Sequence, residues 1–153
     1  MPNPPATPSP TLTDAETELV AAAWQVREHA VCGYSGFAVG AAFLDEHGRR
    51  YTGANVENAS YNLGLCAERV ALYHALTHGA GRFVAVAIVT KAPAPTSPCG
   101  ACRQALWEFA PHAEILLVNP HGHQRMTMRD LLPHAFDDAT LRAAAAPGDE
   151  PPR

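Results

Sequence analysis

The sequence predicts an α/β protein, a three-layer α/β/α sandwich with a mixed central sheet of about five strands. Two features of the chain support this fold class. After an initial helix and hairpin, helical patterns alternate with short strand-like runs. The run over residues 83–89 is almost wholly apolar, which is typical of a central strand that is covered on both faces. The length of 153 residues suffices for one such domain with its own core.

Composition divides the chain into three parts. Five prolines within residues 1–12 predict a disordered or extended arm, because proline lacks an amide donor and resists helix formation. Residues 13–141 carry the periodic patterns of the domain. Residues 142–153 are rich in alanine, proline and glycine, which predicts a disordered tail.

The first half of the domain predicts a helix and a hairpin. Thr13 and Glu16 match a capping box, and apolar residues then recur at helical spacing over residues 14–29. The elements that follow are a strand over residues 38–44, a hairpin turn over residues 45–48, a returning strand over residues 50–56 and a polar loop over residues 55–61.

The second half predicts alternating helices and strands. Gly79 is expected to close a second helix, and Pro98 is expected to precede a third. The predicted elements are a helix over residues 67–78, a strand over 83–89, a helix over 99–109, strands over 113–118 and 124–128, and one helical turn over 128–132.

Charge and cysteine content exclude several functional classes. The net charge is −4 with only 11 Lys and Arg residues, and no basic stripe typical of a nucleic-acid binder is present. The longest apolar runs fall far short of a membrane span, and no charged start followed by an apolar stretch indicates a secretory signal. Three of the four cysteines are grouped, which indicates a reducing compartment. We therefore expect a cytoplasmic protein that acts on a small free molecule, with no nucleic-acid or membrane partner.

Two short segments carry the candidate chemistry, Cys66-Ala67-Glu68 and Pro98-Cys99-Gly100-Ala101-Cys102. Thiolates are soft ligands that suit Zn²⁺, and three of them leave the fourth tetrahedral position open for a water, as in a catalytic zinc site. Zinc lowers the pKa of such a water from about 15.7 towards 7, and a neighbouring carboxylate can move its protons. We therefore predict Cys66, Cys99 and Cys102 as zinc ligands and Glu68 as the catalytic acid–base.

A closed structural zinc site is the alternative interpretation of these cysteines. It requires a fourth ligand, and the remaining cysteine, Cys32, lies far upstream. A Cys-x-x-Cys pair alone would be ambiguous, since such pairs also occur in redox and structural sites. Its combination with an upstream Cys-Ala-Glu is far more specific.

Five ordered motifs give the chain its resemblance to a known family. They are Tyr34-Ser35-x-Phe37-x-Val39-Gly40-Ala41-Ala42, Asn55-Val56-Glu57-Asn58-Ala59, Cys66-Ala67-Glu68-Arg69, Ser97-Pro98-Cys99-Gly100-Ala101-Cys102-Arg103-Gln104 and Leu131-Leu132-Pro133-x-x-Phe136. With these motifs the chain resembles the small, homotetrameric, zinc-dependent cytidine deaminases. The resemblance implies a cytidine deaminase-like fold with one zinc ion per subunit. It also implies hydrolysis of cytidine and 2′-deoxycytidine to uridine and 2′-deoxyuridine with release of ammonia, a reaction of pyrimidine salvage.

The resemblance also implies roles for residues around the metal. Asn55 and Glu57 correspond to ligands of the ribose 3′-hydroxyl, and Phe37 corresponds to an aromatic side chain that contacts the pyrimidine. The backbone amide of Ala67 corresponds to the partner of the ring carbonyl. Arg69 corresponds to an arginine beside the zinc site, whose charge offsets that of the thiolates.

Tyr61 and Phe136 correspond to residues that reach the site of a neighbouring subunit. The resemblance therefore implies a homotetramer whose active sites are shared between subunits. After Phe136, Asp137-Asp138 stands where the family usually has Gly-Pro. Structural roles are the alternatives, namely loop capping for Asn55 and Glu57, core packing for Phe37, a solvated helix position for Arg69, and packing within one subunit for Tyr61 and Phe136.

Two other functions fit parts of the same pattern. Deamination of a modified cytosine nucleoside such as blasticidin S shares the metal signature, but the Asn55-Val56-Glu57-Asn58 motif favours ordinary nucleosides. A non-catalytic zinc module that binds nucleosides or partners would have no need of Glu68. Side-by-side assays with cytidine, blasticidin S and related compounds discriminate between these functions.

Overall fold

The computed structural model describes residues 10–144, which form a five-stranded sheet with helices on both faces. The strands are β1 (Val39–Asp45), β2 (Arg50–Ala54), β3 (Phe83–Thr90), β4 (Glu114–Asn119) and β5 (Gly122–Met126). The helices are α1 (Asp14–Arg27), α2 (Ala67–Thr77), α3 (Gly100–Phe109), α4 (Met128–Leu131) and α5 (Asp138–Ala144). The predicted α/β sandwich with a mixed sheet is confirmed.

The sheet has the strand order β2-β1-β3-β4-β5. The pair β3–β4 is parallel and is connected through α3, while the other neighbouring pairs are antiparallel. Every residue of β3 except Val84 is buried, as its apolar run predicts for a central strand. From the carboxyl end of β3, the loop over residues 91–98 leads directly to Cys99.

The helices approach the sheet most closely at two glycines. α1 covers one face, and α2 and α3 cover the other. A β-carbon on Gly40 in β1 would lie 2.1 Å from the carbonyl oxygen of Ala23 in α1. One on Gly53 in β2 would lie 2.4 Å from the backbone nitrogen of Ala71 in α2. Because real β-carbons do not approach backbone atoms so closely, only glycine lets each helix lie at this distance from its strand.

A cluster of three charged side chains joins α1 to the last two strands of the sheet. Arg125 in β5 donates to the two carboxylate oxygens of Glu16 in α1, at 2.6 and 2.7 Å, and to Glu114 in β4 at 2.5 Å. The hydrogen bonds from Arg125 lower the pKa of Glu16 to about 2. Glu16 also completes the predicted capping box with Thr13. We call Glu16, Glu114 and Arg125 the terminal clamp.

Asp45 anchors the turn between β1 and β2. Its buried carboxylate accepts hydrogen bonds from the backbone N–H groups of His47, Arg49 and Gly81 and from Nε of Arg49. Burial opposes ionisation of this carboxyl, but the hydrogen bonds outweigh burial and lower its pKa to about 2. The turn is thereby tied to the residues that precede β3.

Two short elements and the domain ends differ from the predicted ranges. Tyr61–Leu63 forms a 3₁₀ turn that begins at the last residue of the predicted polar loop. Asp137 accepts a hydrogen bond from the backbone N–H of Thr140 at 2.9 Å, so α5 begins at the place where the family motif is altered. α5 continues to Ala144, three residues beyond the predicted domain boundary at residue 141. At the other end, Leu12 packs against the core beneath α1.

The remaining parts of the predicted arm and tail, residues 1–9 and 145–153, lie outside the described residues. None of the helices within residues 10–144 is long and apolar enough to cross a membrane.

Candidate active site

Three thiols meet where two helices begin. Cys66 is the N-cap of α2, Cys99 is the N-cap of α3, and Cys102 lies in the first turn of α3. Their Sγ atoms all lie within 4.8 Å of one another, and those of Cys66 and Cys99 are 3.8 Å apart. Two sulfurs that bind a tetrahedral zinc ion at about 2.3 Å are separated by roughly 3.8 Å. The number, softness and spacing of these sulfurs therefore fit one zinc ion.

A closed structural zinc site finds no support in this geometry. Across residues 10–144, no ligand atom from a further His, Cys, Asp or Glu joins the three sulfurs. Cys32 is half-buried and lies outside the group. The protein therefore offers three side-chain ligands, as in zinc sites that keep one position open for a water or a substrate.

The surroundings shift the pKa values of two of the thiols in opposite directions. The hydrogen bond with Cys102 lowers the pKa of Cys66 to about 5, and contacts with Cys99 and Arg69 act in the same direction against burial. The same hydrogen bond raises the pKa of Cys102, and burial raises it further. The positive ends of the α2 and α3 dipoles also favour thiolates at these positions.

Arg69, in the first turn of α2, supplies positive charge beside the sulfurs. Its guanidinium lies next to the side chains of Cys66 and Cys102. Its Nε atom is buried and has no hydrogen-bond partner among the described residues. Since zinc with three thiolates carries a net charge of −1, this arginine is well placed to offset it.

Glu68 is the acidic residue closest in sequence to the first thiol. It is only 5% exposed and lies in the first turn of α2. Burial raises the pKa of Glu68, and the negative charge of Cys66 acts in the same direction. A carboxyl group with a raised pKa can both accept and donate a proton near neutral pH.

A cavity of about 310 Å³ lies in front of Glu68 and the thiols. This volume is at the lower end of the range for small-molecule sites. The predicted site residues that line it are Phe37, Asn55, Glu57, Cys66, Glu68 and Cys99. Phe37 is 43% exposed and faces this space, so the alternative of core packing is wrong for this side chain.

Asn55 and Glu57 both hold the backbone that precedes and begins β1. The Asn55 amide accepts a hydrogen bond from the N–H of Val39 at 2.8 Å and donates one to the carbonyl of Phe37 at 2.9 Å. Glu57 accepts from the N–H groups of Tyr34 and Ser35, at 2.8 and 3.1 Å, and from the Ser35 hydroxyl. Loop capping is therefore a real role of both residues. Each side chain still keeps unused hydrogen-bonding capacity towards the cavity.

Residues 13–119 match the family model of the cytidine and deoxycytidylate deaminase zinc-binding region. The chain belongs to this family. The match spans both thiol segments and the whole cavity wall described above. Family membership and the three clustered sulfurs together identify zinc as the metal of this deaminase domain.

Named relatives of the deaminase family support the assignment. Cytidine deaminase from Sporosarcina psychrophila is 42% identical over 130 residues, which is 84% of this chain and 96% of the relative. Cytidine deaminase from Halalkalibacterium halodurans is 47% identical over 120 residues, or 77% and 91% of the two chains. The crystal structure of cytidine deaminase from Burkholderia pseudomallei superposes with a TM-score of 0.77 at 43% identity, covering 82% of this chain and all of that one.

Three of the substrate-binding residues implied by the resemblance, Ala67, Tyr61 and Phe136, are absent from the cavity wall of this deaminase. Tyr61 is 79% exposed and Phe136 is 57% exposed, and within the described chain neither lines the cavity beside the thiols. The side chain of Ala67 is fully buried. Its N–H belongs to the first residue of α2 and so has no intrahelical partner.

Three polar residues that were not assigned to the site also line the cavity: Ser35, Thr96 and Ser97. Thr96 and Ser97 belong to the loop immediately before Cys99. Their closeness in sequence to this metal ligand could have predicted that they line the cavity. Ser35 lies within the first family motif, but its contact with Glu57 spans 22 residues and depends on the folded shape of the loop.

Proposed function

We propose that this chain hydrolyses cytidine and 2′-deoxycytidine to uridine and 2′-deoxyuridine, with release of ammonia, as an enzyme of pyrimidine salvage. One observation carries the proposal, namely a cavity lined by Glu68, Cys66 and Cys99, next to a group of three thiols with zinc-site spacing. The names of the relatives support the same substrate class.

The reaction requires a nucleophile, proton transfer and a leaving group. Cys66, Cys99 and Cys102 would hold the zinc ion, which would supply Lewis acidity and lower the pKa of a water. Glu68 accepts a proton from the attacking water and passes a proton to ring nitrogen N3, which makes C4 a better electrophile. The water oxygen adds to C4, and Glu68 then takes the remaining proton of the added hydroxyl and delivers it to the amino group. The C4–N bond breaks, a carbonyl forms at C4 and ammonia leaves. The raised pKa of Glu68 suits a group that exchanges protons in both directions.

The cavity walls favour a nucleoside over a free base. Glu57 uses three of about four acceptor positions within the chain, and Asn55 keeps one amide hydrogen and one acceptor position. Together they can accept from and donate to the ribose 3′-hydroxyl. Phe37 offers an aromatic face to the pyrimidine, and the Ala67 N–H offers a donor to the ring carbonyl. The positive charge of Arg69 offsets the negative charge of the thiolates.

The proposal includes a homotetramer with active sites shared between subunits. Tyr61 and Phe136 are exposed aromatic side chains outside the cavity, which suits residues that complete the site of a neighbouring subunit. Closed symmetric assemblies are the usual arrangement of identical subunits. A cytoplasmic location is proposed because the ligand thiols must stay reduced, and the described cysteines are all free.

An absorbance assay with parallel substrates tests the proposed function. Cytidine and 2′-deoxycytidine are expected to be turned over, whereas cytosine lacks the sugar that Asn55 and Glu57 would bind. CMP and single-stranded DNA are the charged comparisons, and blasticidin S is the modified nucleoside. Turnover of blasticidin S without turnover of cytidine would contradict the proposal, as would the absence of deamination from protein that contains about one zinc per chain.

A further inference from the structure

Ser35 lines two neighbouring cavities. It lies in the loop between α1 and β1 and lines the cavity beside the thiols. It also lines a neighbouring cavity of about 350 Å³, whose other walls include Tyr34, Asn58 and Tyr61. Glu57 is shared by both cavities in the same way. Ser35 and Glu57, which contact each other, therefore both face the two spaces.

The Ser35 hydroxyl makes two hydrogen bonds that together fix its direction. Its oxygen accepts from the backbone N–H of Phe37 at 3.0 Å. Its own proton is donated to Oε1 of Glu57. Gly36, with φ of +67°, allows the tight reversal that brings the Phe37 N–H back to the Ser35 side chain. The Phe37 N–H occupies an acceptor position of the hydroxyl oxygen, and the hydroxyl proton is donated to the Glu57 carboxylate.

Ser35 is also the principal partner of the Glu57 carboxylate. Its hydroxyl bonds to Oε1, and its backbone N–H donates to Oε2 at 3.1 Å, so one residue holds both oxygens. The hydrogen bond from the Ser35 hydroxyl is the largest of the effects that lower the pKa of Glu57. Without the hydroxyl bond, rotation about the last side-chain torsion of Glu57 would be less restricted, since such terminal torsions are broad.

We propose that Ser35 is a positioning residue that aims the Glu57 carboxylate at the sugar hydroxyl of the nucleoside. This role rests on the proposed function, because it requires that Glu57 bind the 3′-hydroxyl. Ser35 itself acts through Glu57 and leaves the reacting C4 atom untouched. Its loss should therefore weaken nucleoside binding while the chemical step is preserved.

Replacement of the hydroxyl tests this role in the zinc-loaded enzyme. Ser35→Ala is expected to raise KM for cytidine about tenfold, the effect of one hydrogen bond to a charged group, with kcat within about twofold of the wild type. Ser35→Thr keeps a hydroxyl on the same carbon and should stay within about threefold of the wild-type KM. An equal rise in KM for both variants, or no rise for Ser35→Ala, would overturn the proposal.

A substrate without the hydroxyl separates positioning from a general disturbance of the loop. With 3′-deoxycytidine, Ser35→Ala and wild type should have KM values within about twofold of each other, because the group that Glu57 contacts is missing. A rise as large as that seen with cytidine would mean that Ser35 does not act through Glu57. Zinc content and Tm of both variants, measured beside the wild type, report the integrity of the fold.

The double variant Ser35→Ala/Glu57→Ala gives an independent readout. If Ser35 acts through Glu57, the second substitution should add less than about twofold to the KM of Glu57→Ala. Full multiplication of the two single effects would overturn the proposal. Wild-type turnover of cytidine tests the proposed function by itself, whereas only ratios between variants test Ser35, so the two failures are distinguishable.

Discussion

Glu68 has surroundings unlike those of an ordinary helix glutamate. It is buried beside three sulfurs at the start of α2, and burial raises its pKa. A group in this position can relay protons between water, ring nitrogen and leaving amine without large movement. The same carboxyl does not belong to the group of potential metal ligands, so its chemistry is separable from metal binding.

Glu68→Gln should therefore retain zinc and lose about 10²- to 10⁴-fold in kcat. Glutamine preserves the size of the side chain but cannot exchange protons. Metal analysis and the cytidine absorbance assay on the same sample measure the two quantities. Glu108→Gln, an exposed position on α3, is the matched control and should behave as wild type. Near-normal turnover of zinc-loaded Glu68→Gln would assign the proton transfers to another group.

Asp45 provides a stability prediction that depends on pH. Asp45→Asn should destabilise the protein at neutral pH by on the order of 3 kcal/mol, because an amide NH₂ would face donors from Arg49 and Gly81. The folded-state pKa of about 2 lies below the ordinary value of 3.8. The carboxylate's contribution is thus complete above about pH 5 and is lost as pH falls towards 2.

Urea unfolding from about pH 7 to about pH 3 checks this dependence. The difference in free energy of unfolding between wild type and Asp45→Asn should shrink as pH falls below about 4. Both proteins carry the same thiols, so metal release in acid affects them alike. Asp14→Asn, at an exposed position, is the control. A difference that stays constant over the whole range would show that ionisation of Asp45 contributes nothing.

At the level of elements, α2 is the part of the fold that carries the site, and Gly53 determines how closely it approaches β2. Gly53→Ala should cost about 1–3 kcal/mol through overpacking and shift α2 together with Cys66 and Glu68. Gly40→Ala should cost a similar amount but displace α1, which carries none of these residues. Zinc affinity and activity are therefore expected to fall more in Gly53→Ala than in Gly40→Ala.

Thermal unfolding, metal titration and turnover on the two glycine variants provide this comparison. Gly33→Ala is the control, because a β-carbon there would meet nothing within 4 Å. If Gly40→Ala and Gly53→Ala lost equal activity at equal loss of Tm, general destabilisation rather than displacement of α2 would be the cause.

Local signals explain which elements were predictable. The capping boxes at Thr13 and Thr127 mark the starts of α1 and α4, and Gly79, with φ of +68°, follows α2 as predicted. α5 escaped prediction because its first turn depends on the Asp137 side chain, within a segment whose composition resembles a tail. At the site, the thiols and Glu68 were recognisable from spacing alone. The Ser35–Glu57 contact was not, since a loop conformation creates it.

For the whole molecule, the central prediction is the homotetramer. Light scattering should give a mass four times the 16.3 kDa of one chain. Phe136→Ala should then raise KM for cytidine while zinc content stays constant, because the exposed ring would be lost from the site of a neighbouring subunit. Phe109→Ala, another exposed aromatic position, is the control. A fully active monomer would refute shared sites, and unchanged KM in a tetramer would remove only the role of Phe136.

The terminal clamp has a consequence for folding of the chain during its synthesis. Glu16 and Arg125 are 109 residues apart, so the first helix leaves the ribosome long before its ionic partner is synthesised. At a synthesis rate of about 5–20 residues per second, Arg125 is added roughly 5–20 s after Glu16. Nascent chains arrested before residue 122 lack the contact of Arg125 with Glu16, so protease should cut the first turn of α1 more readily than in the released chain. Chains long enough to expose β5 outside the exit tunnel should resist cleavage there, because Arg125 can then bind Glu16.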